Sequence, residues 1–201
     1  MDYRAESPEV LRRFLTYIET IRGKSRKTAE EYFLDLRIFF RYLKRHRGLV
    51  PADVDFNDIP IDDVDVKLLE TVTLMDIYDY MAFLNSEREY LRPGEVSDGK
   101  PGIGNAARAR KVASLRSFFK FLTSKAMLLK ENPAAELDAP KLKRALPRYL
   151  TLEESISLLE SVKGANAERD YLILTLFLNC GLRVSELVGI NLSDIKDGAL
   201  T

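Results

Sequence analysis

The 201-residue chain has one cysteine, Cys180, one histidine, His46, and no tryptophan. A single cysteine excludes an intrachain disulfide framework, and a reducing, cytoplasmic compartment is the expected one. Without a His/Cys cluster a zinc site has no ligand set, whereas a magnesium site built from carboxylates stays open. No apolar run approaches the ~18 residues of a membrane span, so no membrane association is expected. The opening Met1-Asp2-Tyr3-Arg4-Ala5-Glu6 has no apolar h-region, and a secretory leader is not expected there. Strand signals are nearly absent. Net charge is absent too, with 31 Lys and Arg against 31 Asp and Glu.

What is present is a 46% hydrophobic, 31% charged composition, suited to a globular chain with a buried core. The length allows one large or two small domains. The zero net charge conceals segregation. Residues 1–48 carry 12 cations and 7 acids, net +5, and residues 49–104 carry 4 and 13, net −9. Residues 105–148 carry 11 and 3, net +8, and residues 149–201 carry 4 and 8, net −4. If the two basic segments adjoin in the fold, they form a positive face of the kind phosphate binding needs. The alternative is ordinary solvated helix surface.

Helical spacing dominates. Ser7-Pro8 suggests an N-cap followed by proline at the first helical position. Leu11, Phe14, Leu15, Ile18 and Ile21 follow at helical intervals and Gly23 ends the run. Ser25 is the next candidate cap. The stripe Ala29, Tyr32, Phe33, Leu36, Phe39, Phe40 and Leu43 then predicts a long helix, stopped by Gly48. Residues 49–70, with two prolines and six aspartates, predict an ordered but irregular acidic connection. Their spacing lacks the glycine and terminal glutamate of a calcium-binding loop. Thr73 and Asp76 form a capping-box pattern before a helix through Ile77, Met81 and Leu84. Glycines and prolines at 92–104 predict a mobile loop. A helix follows to about Lys125, with core stripe Val112, Leu115, Phe118, Phe119 and Leu122. Its opposite face carries Arg110, Ser117, Lys120 and Ser124, with Arg116 at the edge.

Asn132-Pro133 predicts a short helical turn. Residues 140–149 hold two prolines and several cations without helical periodicity, the pattern of a basic linker. Thr151-Leu152-Glu153-Glu154 is a second capping box. A helix is expected at about 167–179, broken by Gly181, with a new helical start near Val184. Cys180 reads as a buried, inert thiol. His46, in a basic helix end, reads as a helix C-terminal cation.

Four stretches occur in order: Pro140-Lys141, Leu146-Pro147-Arg148-Tyr149-Leu150-Thr151, Arg169-Asp170 and Gly181-Leu182-Arg183-Val184-Ser185-Glu186-Leu187. Together they resemble the tyrosine recombinase (phage integrase, Xer-like) family across the junction of its two domains. Lys24-Ser25-Arg26-Lys27-Thr28 with Tyr32 resembles the family's first DNA-facing helix, and residues 110–119 resemble a later one. The Gly-Leu-Arg-Val-Ser-Glu-Leu segment is the most specific piece.

The resemblance implies an all-α covered region. A SAM-like helical core-binding domain would span 1–139, with the acidic insert at about 49–70. A basic linker at 140–149 and the first helices of an α+β catalytic domain at 150–201 would follow. Arg183 matches the family's first catalytic arginine, and Glu186 matches the acidic position that supports it. Guanidinium suits the role, because its planar fork donates two parallel hydrogen bonds to phosphate oxygens. Spacing alone is equally satisfied by a surface Arg–Glu pair at a helix start. The candidate DNA contacts carried over are Lys27, Thr28, Arg110, Lys111, Ser117 and Lys120, with Lys141, Lys143 and Arg144 in the linker. For each, the competing reading is a solvated surface residue.

None of Tyr3, Tyr17, Tyr32, Tyr149 or Tyr171 matches the family's nucleophile, which lies near its C-terminus. The family's lysine-bearing hairpin should begin at about Asp197. The chain is therefore expected to bind DNA but not to cleave it. The resemblance further implies duplex DNA and other recombinase protomers (a tetramer on two sites) as partners, and no metal or nucleotide cofactor. Two other readings remain at this stage: a truncated DNA-binding regulator of a recombinase, and a helical protein-interaction module.

Overall fold

The computed structural model describes residues 3–86, 102–141, 148–196 and 199–200. It divides into two compact units, Met1–Lys143 and Arg144–Thr201.

In the first unit, a short helix α1 (Tyr3–Glu6) precedes α2 (Glu9–Thr16). The expected cap at Ser7 is not made. The Ser7 hydroxyl instead donates to the Tyr3 carbonyl at 2.6 Å, closing α1, and Pro8 takes the N-cap position of α2 in extended conformation. Helix α2 runs into a π-helical turn, Tyr17–Ile21, where the Arg22 N–H reaches back to the Tyr17 carbonyl at 3.0 Å. That wider turn changes the phase of the stripe. Ile18 is buried but Ile21, expected beside it, is 72% exposed.

Helix α3 (Arg26–His46) starts where Ser25 accepts the Thr28 N–H at 3.2 Å. Its predicted stripe is buried, with Tyr32 packed partly against the core. Asp35, Ile38, Tyr42 and Lys44 are buried as well, so the second half of α3 is enclosed on nearly all sides. The enclosing layer is the acidic segment. Ile59, Ile61, Val64 and Leu69 anchor it in the core. Asp55 caps a 3-10 turn at Phe56–Asp58, and Asp65 caps helix α4 (Val66–Glu70). Three aspartates of this stretch thus have structural partners, the third being Asp63 on Lys44.

Helix α5 (Leu74–Ser86) opens on the predicted capping box. Asp76 accepts the Thr73 N–H at 2.8 Å while the Thr73 hydroxyl accepts the Asp76 N–H at 3.2 Å. Of the glycine- and proline-rich stretch expected as a loop, residues 92–101 lie outside the described residues. Gly102 has φ 92°, and a Cβ there would collide with the Asn85 carbonyl, so glycine is required for the chain to pass. Helix α6 (Asn105–Ser124) begins after Gly104, which takes the capping position that Asn105 was expected to fill. The unit ends in a turn where the Asn132 side chain accepts the Ala134 N–H at 3.0 Å.

An aromatic cluster joins these helices. Phe118 of α6 meets Phe14 of α2 edge-on at 5.3 Å and Phe40 of α3 at 5.6 Å. Phe39 of α3 meets Tyr80 of α5 at 5.1 Å. Phe118 is fully buried, and truncating such a side chain to alanine costs about 3–5 kcal/mol.

The second unit holds α7 (Leu152–Glu160), α8 (Ala167–Cys180) and α9 (Val184–Val188), then a 3-10 turn at Leu192–Asp194. Strands β1 (Ile195–Lys196) and β2 (Ala199–Leu200) pair antiparallel, Ile195 with Leu200 and Lys196 with Ala199. The Thr151–Glu154 capping box is formed in full. Among the described residues of this unit no side chain is fully buried. Among the described residues of the whole chain, no helix is long and apolar enough to cross a membrane.

Candidate phosphate-clamp arginine and nucleic-acid interface

Helix α8 is stopped by Gly181 in the left-handed region, φ 62°, a conformation glycine adopts without a Cβ penalty. The chain turns, and Arg183 becomes the N-cap of α9. Glu186 then serves that one residue with both oxygens. Oε2 accepts the Arg183 backbone N–H at 2.7 Å, and Oε1 accepts from the guanidinium Nη1 at 3.0 Å. The carboxylate also lies in the first turn of α9, where the helix dipole favours negative charge. The Arg183 side chain remains 82% exposed. One edge of the guanidinium is held and the rest is presented, an arrangement able to grip an anion with several N–H donors. Arg169 is engaged next door in sequence, its Nη2 2.8 Å from Asp170.

In the first unit, the N-terminal half of α3 packs beside α6. Arg110 of α6 reaches Glu31 of α3 at 2.6 Å and Asp35 at 2.9 Å. The two basic segments therefore do adjoin, at this point. Lys27, one turn before Glu31, is exposed, as are Lys120 and Lys141, while Ser117 is half-buried. Thr28 is half-buried, and its hydroxyl lies 3.0 Å from that of Ser25, so it takes part in the helix cap. Lys143 and Arg144 lie outside the described residues.

Lys111 requires correction. It is buried, with its ammonium 2.7 Å from Asp35 Oδ1, and so does not stand on the exposed face. The reason is geometric: Lys111 shares the inward stripe with Leu115, Phe118 and Leu122, four, seven and eleven residues on. Asp35 itself was missed. Its side chain is 1% exposed and receives Lys111, Arg110 and the Ser114 hydroxyl, the last at 2.8 Å. A second group of cations is also removed from any ligand face. Arg41 donates to the Ile59 carbonyl at 3.0 Å, and Lys44 is held by Asp63 and Pro60. Arg45 donates to the Val54 carbonyl, and Arg47 reaches Asp76 at 2.9 Å.

Comparison with known proteins decides the family. The chain is 50% identical over 194 residues to the tyrosine recombinase XerC of Caldanaerobacter subterraneus subsp. tengcongensis, covering 96% of this chain and 51% of that protein. It is 32% identical to the XerC of Rhodospirillum centenum over 96% of this chain and 50% of that protein. It is 38% identical to the XerC of Thermodesulfovibrio yellowstonii over 62% of this chain and 44% of that protein. The chain belongs to the tyrosine recombinase family. It spans about half the length of the curated relatives it matches. No protein-family profile matches it. No solved structure matches it.

Cys180 and the tyrosines of this recombinase chain differ in exposure. Cys180, expected as a buried thiol, is exposed. It is the last residue of α8. The five tyrosines divide between core and surface: Tyr3 is buried, Tyr17 and Tyr32 are half-buried, and Tyr149 and Tyr171 are 87% and 51% exposed.

Proposed function

We propose that this chain binds duplex DNA through its first unit, and that the recombinase it represents breaks and rejoins DNA at specific sites. In this reading, Lys27, Arg110, Ser117, Lys120 and Lys141 face the sugar-phosphate backbone, and Lys143 and Arg144 are further candidate contacts. Such contacts position a protein on the duplex without reading its sequence. Thr28 contributes by fixing the start of α3. Arg183 clamps the scissile phosphate and stabilises the extra negative charge of the pentavalent transition state, and Glu186 orients it.

The observation that carries the reading is the Arg183–Glu186 arrangement. Glu186 closes the capping box of α9 with Oε2 and holds the Arg183 guanidinium with Oε1, while the arginine side chain is left 82% exposed. The backbone contact is helix capping; a surface ion pair contributes little stability, so the guanidinium contact supports a role in orientation. None of Tyr3, Tyr17, Tyr32, Tyr149 and Tyr171 is assigned as the attacking group. The 201-residue chain therefore binds DNA without cleaving it, and protomers assemble on paired sites.

The test is trapping of a 3′-phosphotyrosyl link on a nicked duplex, using the chain joined to the remainder of its reading frame. Covalent capture is expected there and not with residues 1–201. Capture by residues 1–201 alone would overturn the assignment of the nucleophile.

A further inference from the structure

We propose that Asp35 is a positioning residue for DNA binding, acting through Arg110. This rests on the DNA-binding reading above. Asp35 lies in α3, yet all three of its donors named here, Arg110, Lys111 and Ser114, lie within one turn of α6. Burying a carboxylate is unfavourable unless it is paired and hydrogen-bonded. Here two cations and a hydroxyl converge on it, so the charge is satisfied. An apolar pair at this helix contact would be at least as stabilising, so stability alone does not account for the cluster.

What the cluster achieves is placement. Arg110 is half exposed, at 46%, while the carboxylate it rests on is 1% exposed. Nη1 of the guanidinium is thus held between the buried Asp35 carboxylate at 2.9 Å and Glu31 on the surface at 2.6 Å. Lys111 brings a second cation onto the same carboxylate, its ammonium 2.7 Å from Oδ1. The same contacts fix the rotation of α6 on α3, and with it where Ser117 and Lys120 stand relative to Lys27.

Asp35→Asn gives an outcome of diagnostic sign. It removes a negative charge near a surface that binds an anion. If Asp35 acted only through its charge, duplex affinity would rise. If it positions Arg110, affinity falls by about tenfold, the loss of one charge-assisted contact. The loss should vanish when Arg110 is already alanine, because nothing remains to be positioned. Arg110→Lys supplies a second, surface-level test: it keeps the charge but loses the guanidinium N–H groups that remain for a phosphate once Nη1 rests on Glu31 and Asp35, and should lose affinity nearly as Arg110→Ala does.

The experiment measures affinity of the 201-residue chain for a 30-base-pair duplex at about 50 mM salt, a condition that favours phosphate contacts, for Asp35→Asn, Arg110→Ala, the double variant and Arg110→Lys. Unchanged or raised affinity in Asp35→Asn overturns the proposal. So does an equal loss in the Arg110→Ala background, or wild-type binding by Arg110→Lys. If Asp35→Asn fails to fold, Arg110→Lys decides alone. Absence of binding by the wild-type chain overturns the DNA reading itself, and this inference with it.

Discussion

The ammonium of Lys44 lies 2.6 and 2.8 Å from the two oxygens of Asp63 and 2.8 Å from the Pro60 carbonyl. A cation near the C-terminal end of the longest basic helix is thus assigned to the acidic segment. Arg41 and Arg45 donate to carbonyls of the same segment, those of Ile59 and Val54, and Arg47 reaches Asp76 of α5. The acidic segment therefore engages three cations in the C-terminal half of α3, while Lys27 near its N-terminus is exposed.

Substituting Lys44 should accordingly affect folding and not DNA. Lys44→Met leaves the Pro60 carbonyl without its donor and should lower stability by about 1–2 kcal/mol. Asp63 is 63% exposed and can return to water when Lys44 is changed, but Lys44 is 4% exposed, so Asp63→Asn leaves a buried ammonium without its counter-charge and should cost more than about 1 kcal/mol. Urea unfolding checks both. Duplex affinity of the folded Lys44→Met protein should stay within about twofold of wild type, and a larger fall would place Lys44 at the interface.

The capping box of α5 makes stability depend on pH. Burial pushes the Asp76 carboxyl up, but the Thr73 hydroxyl, the Thr73 N–H and the Arg47 guanidinium together hold it below its ordinary value. Its contribution is present above the unfolded value of about 3.9 and is lost as pH falls through the folded one. Wild-type stability should drop as pH falls below about 4. Asp76→Asn should be less stable at neutral pH and should show a shallower acid limb in unfolding curves. An unchanged acid limb would assign that loss to other carboxylates.

In the recombinase extended to its full frame, Arg183→Ala should reduce cleavage by about 10²–10³-fold with duplex binding retained. Glu186→Gln keeps one acceptor for the Arg183 N–H and should cost about tenfold, through orientation. Capture of the covalent DNA link, measured beside binding, separates the two. Full cleavage by Arg183→Ala would mean that the clamp lies elsewhere.

Lys27→Ala and Lys120→Ala should each reduce the slope of log affinity against log salt by about one phosphate contact. The same change at exposed Lys67, in the acidic segment, should leave the slope unchanged. Equal effects at all three would indicate a diffuse charge response rather than a face.

Much of this was legible in the sequence. Long apolar stripes announced α3 and α6, and the Thr73–Asp76 and Thr151–Glu154 boxes announced the helices that follow them, because caps are local chemistry. The Gly181 stop and the Arg183–Glu186 spacing were legible for the same reason. Pairings between distant residues were not. Asp35 and Lys111, 76 residues apart, each sit on an inward stripe, Asp35 between Tyr32 and Phe39 and Lys111 ahead of Leu115. Two opposite charges on two buried stripes were the available signal, but only the packing of α3 on α6 makes them partners. The π-helical turn at Tyr17–Ile21 left no mark in residue spacing, so Ile21 was placed in the core. Residues 49–70 read as irregular because four buried apolar anchors are scattered among six aspartates.

The central claim is that the first unit carries a DNA-binding face. The direct measurement is the affinity of the 201-residue chain for duplex DNA across a salt series from about 50 to 200 mM, where phosphate contacts govern the slope. The account predicts binding at the low end that weakens steeply and linearly on logarithmic axes. No binding at about 50 mM, or an affinity indifferent to salt, would contradict it.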